Sequence, residues 1–272
     1  AVCGLTLDSN QVKKGDMFIA IPGTQVDGHD YIHQAIDSGA SAIISNGRDV
    51  GDLSVPQIKV ANPRRAASIV AAEYYGHPTK HLTVIGITGT NGKTTSASLL
   101  TSILTQAGYK TAQLGTLGLI ADGFDQQATL TTPDAISLQK TFSDLRNADF
   151  SHIVMEVSSH ALDQYRVADV DFNVAVFTNL TPEHLDYHAT LESYYQAKLR
   201  LFTMLPLEST AVINESDPFG PRMADKSNAP VISFSKGNGN SIHFTDLSNS
   251  ISGIKGRVSA GQQTYSIKSD LV

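Results

Sequence analysis

The sequence has a single cysteine, no excess of basic charge, and no apolar run near the roughly 20 residues that a membrane-spanning helix needs. Cys3 on its own excludes an internal disulfide and fits a reducing compartment; it reads as a small buried hydrophobe. The N-terminus also lacks the basic-then-apolar layout of a secretory signal, so a cytoplasmic location without a membrane partner is expected. Twenty Lys and Arg against 26 Asp and Glu leave a formal charge of −6, with both signs interspersed along the chain. That distribution makes no basic field of the kind nucleic-acid binding requires. Internal repeats and low-complexity tracts are missing too. What remains is 272 residues at 41% hydrophobic content, enough for one large domain or two ordinary ones, and a monomer is the expected state.

Strand-like runs alternate with helical stretches, which is the α/β signature. Short β-rich runs at 17–21 and 42–45 flank a helical stretch at 31–38, and this small unit ends near His77 and Pro78. Residues 82–88 (LTVIGIT) then form a β-branched apolar run that leads through a glycine-containing loop into a helix over 94–106. Further buried strands are expected at 152–157, 173–180 and 210–214, with a helix over 191–205. Continuous apolar strands between helices imply a mainly parallel sheet covered on both faces. Residues 241–269 alternate polar and apolar across three glycines and read as a small antiparallel meander.

Gly89 to Thr95 read GTNGKTT. Glycines let backbone N–H groups close around phosphate oxygens, Lys93 would reach the β- and γ-phosphates, and Thr94 would ligate Mg²⁺. The generic phosphate-loop pattern asks for a glycine at position 87, which is Ile87 here, so only the core G-x-x-G-K-T matches. Strand before and helix after the loop carry the assignment over a chance glycine turn.

Glu156 ends an apolar strand in IVMEVSSH, where a lone carboxylate is costly to bury without a cation or several donors. A metal ligand, or a glutamate exposed at the carboxyl edge of the sheet, both put it where open α/β sheets bind ligands. A second strand ends in VFTNLTPEHLDYH and brings Asn179, His184, Asp186 and His188 to the same edge. Any one of these histidines is more often a structural hydrogen-bonder than a ligand; their clustering raises the case for a site. The helix segment YYQAKLRLF carries Lys198. Apolar surroundings would lower its pKa, unless the side chain snorkels to solvent.

Together, GTNGKTT, EVSSHALDQYR, TNLTPEHLDYH and YYQAKLRLF stand in the order and approximate spacing of the Mur ligase family, which this sequence resembles over essentially its whole length. Within the family it looks like the ligases that add the third amino acid, meso-diaminopimelate or L-lysine, to UDP-N-acetylmuramoyl-L-alanyl-D-glutamate. The resemblance implies a UDP-substrate-binding α/β domain over 1–80, a central ATP-binding domain over 81–272, and a third, C-terminal domain absent from this sequence. It implies ATP contacts from Gly89, Thr90, Asn91, Gly92, Lys93, Thr94, Thr95 and Asn179. Leu7, Ser9, Thr24, Gln25 and Val26 would contact the uridine end of the substrate. Thr131, Thr132, Ser158, Gln164 and Arg166 would hold the muramoyl-dipeptide, although Leu130 stands where some relatives have asparagine. Two Mg²⁺ ions would be held by Thr94, Glu156, His184 and a Lys198 converted by CO₂ into a carbamate. Lys93, Glu156 and Lys198 would be the catalytic residues. The implied reaction is amide formation through an acyl phosphate, with an amino acid as acceptor; this fragment would bind substrate without ligating. Rival readings are a folylpolyglutamate synthetase-like ligase and a phosphate-loop NTPase that only hydrolyses nucleotide.

Overall fold

The computed structural model describes residues 2–23, 26–124, 127, 130–236, 241–251 and 253–270. In chain order the elements are β1 (Gly4–Thr6), β2 (Asp16–Ile19), α1 (Ile32–Asp37), β3 (Ala42–Ser45), β4 (Gln57–Lys59) and α2 (Pro63–Tyr74). Then come β5 (Thr83–Thr88), α3 (Lys93–Gln106), β6 (Thr111–Gly115), β7 (Gly118–Ile120), α4 (Ala135–Asn147), β8 (His152–Glu156), α5 (Ser159–Asp163) and β9 (Val174–Phe177). The rest is α6 (Leu185–His188), α7 (Leu191–Thr203), β10 (Thr210–Asn214), α8 (Gly220–Lys226), β11 (Val231–Lys236), β12 (Ile242–Ser250), β13 (Gly253–Ala260) and β14 (Gln263–Ser269). These form two compact units.

The first unit comprises the residues up to His81 together with 132–149 and 163–170. Its sheet has the order β1-β2-β3-β4, with every pair parallel. Asn62 caps α2 by accepting from the Arg65 N–H, and Pro63 fills the first helical position, where no donor is needed. The alanine face of α2, Ala67 and Ala71, packs with Ile19 and Ile44 of the sheet and with Ile136 of α4. Asp134 caps α4 on the N–H groups of Ile136 and Ser137. A forked ion pair from Arg65 to Asp169 also ties 163–170 into this unit. Packing therefore joins residues beyond 80 to the N-terminal segment. Cys3 is exposed, contrary to the expectation of burial. It precedes β1, at the edge of this sheet, and its N–H donates to Gly15 O at 2.9 Å.

The second unit holds a ten-stranded sheet of order β14-β13-β12-β11-β10-β9-β5-β8-β6-β7. From β12 through β6 every neighbouring pair is parallel. β5 and β8 are buried on both faces, which is why TVIGIT and HIVME read as unbroken rather than alternating strands. Ile85, Ile87 and Val154 of these strands form one core with Ala97 of α3. The antiparallel meander β12–β14 continues the main sheet, because β12 pairs in parallel with β11. Among the described residues no helix is long and apolar enough to cross a membrane.

Candidate active site

The strand–loop–helix unit sets the site. β5 ends at Thr88, the chain turns through Gly89–Gly92, and α3 begins at Lys93. Gly92 caps that helix in the left-handed region (φ 84°), a conformation that costs a residue with a Cβ about 1 kcal/mol or more. The loop is clamped from the end of β9. Asn179 O accepts from Thr90 N at 2.9 Å, Asn179 Oδ1 accepts from Asn91 N at 2.9 Å, and Asn179 Nδ2 donates to Asn91 O at 3.1 Å. Thr178 Oγ1 adds a bond to Asn91 O at 2.7 Å. Asn179 thus holds the loop in shape and does not line the cavity in front of it.

That cavity, of about 230 Å³, is lined by Gly89, Thr90, Asn91, Gly92, Lys93 and Thr94 from the loop, and by Thr116, Thr131, Glu156, Ser158, Ser159, His184, Tyr194 and Lys198 from elsewhere in the second unit. Glu156 is fully buried and satisfied by three donors. Thr116 N–H reaches Oε1 at 2.9 Å, while Thr94 Oγ1 and Thr116 Oγ1 reach Oε2 at 2.9 and 3.2 Å. Several donors, one of the conditions expected for burying a carboxylate, are therefore present. Gly115 makes room for it: a Cβ there would lie 2.2 Å from Glu156 Oε1. Gly115→Ala is accordingly expected to displace the carboxylate and lower stability by about 1–3 kcal/mol. Thermal denaturation checks this, and a variant as stable as the parent would contradict the fit.

Lys198 is 1% exposed, so it does not snorkel. Its Nζ donates to Gly89 O at 2.9 Å and lies 4.5 Å from the centre of the Tyr194 ring. Burial, and then the nearby charge of Lys93, push its pKa down to about 7. Lys93 curls back on its own loop, donating to Gly89 O at 2.9 Å and Thr90 O at 2.7 Å, and burial lowers its pKa against the opposing pull of Glu156. Two amines thus share one carbonyl oxygen.

His184 sits at a left-handed backbone position (φ 55°) and stays half-exposed, its ring edge-on to His160 at 5.0 Å. His188 is buried and bonds Ser159 Oγ through Nε2 at 2.9 Å; Asp186 is exposed on α6. Thr95 is exposed on α3 and does not line the cavity. The donors facing the cavity are hard ones, a carboxylate and hydroxyls, with one imidazole. Among the described residues no three His, Cys, Asp or Glu side chains gather into a cage. This set suits an ion such as Mg²⁺, which is held by one or two carboxylates together with phosphates and waters.

Leu7, Ser9 and Val26 line a separate cavity of about 320 Å³ in the first unit, along with Asp8, Asn10, Phe18, Ile21, Gly28 and Tyr31. Thr24 and Gln25 lie outside the described residues. Thr132, Gln164 and Arg166 form a third group, also in the first unit: Arg166 donates to Thr132 O at 2.8 Å and to Gln164 Oε1 at 2.7 Å. The two threonines of TTPD are divided, with Thr131 beside Thr116 (3.3 Å between hydroxyls) in the second unit and Thr132 buried in the first. Sequence reasoning missed Thr116, Ser159 and Tyr194. The Tyr194–Lys198 pair carried a usable signal, since i,i+4 spacing on a helix puts both on one face; Thr116 follows a small residue at the carboxyl end of an apolar strand, a weaker cue.

Comparison with known proteins identifies the family. A family profile described as the Mur ligase middle domain matches residues 87–272, and one described as Mur ligase family, catalytic domain, matches residues 1–75. The chain is 42% identical over 259 residues to a UDP-N-acetylmuramoyl-L-alanyl-D-glutamate--2,6-diaminopimelate ligase of Geobacter metallireducens, covering 93% of this chain and 51% of that protein. A solved structure of a ligase of the same name superposes with a TM-score of 0.84 at 28% identity, over 99% of this chain and 56% of that one. A folylpolyglutamate synthase of Mycobacterium tuberculosis shares the fold alone, with a TM-score of 0.57 at 16% identity over 74% of this chain and 53% of its own. The chain spans about half the length of the curated relatives it matches. With one family profile covering most of its second unit and another most of its N-terminal segment, the chain belongs to the Mur ligase family.

Proposed function

We propose that the chain is the substrate- and phosphate-binding part of an ATP-dependent ligase that joins 2,6-diaminopimelate to UDP-N-acetylmuramoyl-L-alanyl-D-glutamate in the cytoplasm, for peptidoglycan synthesis. Residues 1–80 serve the uridine end of the UDP-substrate, and 81–272 serve the ATP together with the muramoyl-dipeptide. Between the two acceptors left open by the sequence, the names of the relatives favour diaminopimelate over L-lysine. The observation that carries the reading is the meeting of buried Glu156 and Lys198 with Lys93 and Thr94 at one cavity of about 230 Å³. A second cavity with Leu7, Ser9 and Val26 favours a UDP-linked substrate over a folate, whose ligase matches a smaller share of this chain.

In the proposed reaction the γ-carboxylate of the D-glutamyl residue attacks the γ-phosphorus of ATP, ADP leaves, and an acyl phosphate forms. The acceptor amine then attacks the acyl carbon, loses a proton and expels phosphate. Lys93 and the loop N–H groups hold the transferring phosphoryl group; Thr94, Glu156, His184 and a carbamylated Lys198 would hold two Mg²⁺ ions. When bound, these ions neutralise the charge that otherwise drives carboxylate and phosphate apart. Ser158, Thr131 and Thr132, with Gln164 and Arg166, orient the peptide, Arg166 offering a forked donor to an anionic group. Asn179 acts on ATP through the shape of the loop.

Titration calorimetry on these 272 residues is expected to detect UDP-N-acetylmuramoyl-dipeptide binding, weak ATP binding and, after incubation with all substrates, no tripeptide product. Closing domains complete catalytic constellations and exclude water, so half the relatives' length should not suffice for ligation. Failure to bind the UDP-dipeptide overturns the substrate reading; product formation overturns the division of labour.

A further inference from the structure

Arg64 is the second residue of α2, and both of its hydrogen-bond partners are uncharged oxygens. Its Nη2 donates to Pro22 O at 2.9 Å and its Nη1 to Gln164 Oε1 at 3.3 Å. The same Gln164 oxygen accepts from Arg166 Nε at 3.2 Å and Nη2 at 2.7 Å. Two guanidinium groups therefore converge on one neutral amide oxygen, all within the first unit. The adjacent Arg65 is spent on Asp169, whereas no ion pair among the described residues includes Arg64. A phosphate oxygen in place of the amide oxygen would give the two cations an anionic acceptor, adding ion-pair attraction to bonds that now end on a neutral oxygen. Arginine's planar fork suits that exchange.

Position along the unit selects which phosphate. Pro22 directly follows Ile21, which lines the cavity shared by Leu7, Ser9 and Val26. Arg64 thus reaches from the rim of that cavity to Gln164 and Arg166. In a substrate ordered uridine, diphosphate, sugar, peptide, the group that follows the uridine is the diphosphate. Resting on the substrate reading above, we propose that Arg64 binds the diphosphate of the UDP-linked substrate and holds the Pro22 segment beside it, setting the distance between the uridine end and the peptide end.

The test is titration of uridine, UDP and UDP-N-acetylmuramoyl-dipeptide into this chain and into its Arg64→Ala, Arg64→Gln and Arg64→Lys variants, followed by calorimetry or by NMR shifts for the weakest ligand. Arg64→Ala is expected to weaken UDP and the UDP-dipeptide by a similar factor, roughly tenfold to a hundredfold for a charge-assisted contact, and to leave uridine unchanged. Arg64→Lys should recover part of the loss, and Arg64→Gln carries the same comparison should the alanine variant not fold. Equal losses for uridine and UDP would mean that Arg64 only props the Pro22 segment, and would overturn the proposal. So would a loss confined to the UDP-dipeptide, which would assign Arg64 to a peptide carboxylate, or no loss at all. An unaltered chain that binds neither UDP nor the UDP-dipeptide overturns the substrate reading, and this inference falls with it.

Discussion

Lys198→Ala, made in the ligase to which this chain is proposed to belong, is expected to reduce ligation by roughly 10³-fold or more, the scale of losing a charge stabiliser at a transferring phosphoryl group. A short carboxylic acid added to the variant should restore part of the activity, because it supplies the anionic oxygens that the proposed carbamate would provide. Only a neutral amine attacks CO₂, and burial beside Lys93 lowers the Lys198 pKa to about 7. Carbamylation is therefore expected to rise with pH through about 7 and to fall on acidification, read as a ¹³C carbonyl signal after incubation with labelled bicarbonate. Stability carries the same sign when bicarbonate is excluded. With the folded pKa near 7 and the ordinary value at 10.5, the unfolded chain binds the extra proton between those limits, so stability should rise with pH across that window. Comparison with Lys198→Met isolates this contribution. No labelled signal combined with no rescue would sink the carbamate; a residue serving only as a tether for Gly89 O would give that result.

Glu156→Gln should abolish acyl-phosphate formation, by roughly 10²- to 10³-fold at least, while UDP-substrate binding stays largely intact. The fold has a way to accept the change. Thr116 N–H still finds a carbonyl oxygen, and the Thr94 and Thr116 hydroxyls that now donate to Oε2 can rotate to accept from the new amide. Circular dichroism and melting therefore serve as the control, and positional exchange of labelled ATP reads the first chemical step. Lys93→Ala should act in the same direction. Its cavity lies in the second unit, whereas Leu7, Ser9 and Val26 belong to the first. Loss of UDP-substrate binding in a folded Glu156 or Lys93 variant would show that the two roles are not divided in this way.

Much of this was legible from local pattern. A β-branched run, a glycine loop and a helix are written within 83–106, and each depends on neighbours a few residues away; the strands at 42–45 and 210–214 have the observed bounds for the same reason. Chemistry was legible as residue type: a carboxylate closing an apolar strand and a lysine among aromatic and aliphatic neighbours stand out because burying charge is costly. The partners of those groups were not. Glu156 meets Thr94 62 positions earlier and Thr116 40 positions earlier, and Lys198 meets Gly89 across 109 positions. Such pairings follow from the order β9-β5-β8-β6, in which strands distant in sequence lie side by side. The division of Thr131 from Thr132, and the recruitment of α4 to the first unit, likewise depend on which apolar face Ile136 finds. Periodicity tells that a face must be buried; only the assembled fold selects the surface that buries it, because hydrophobic burial is non-directional and the choice is made by packing over the whole unit.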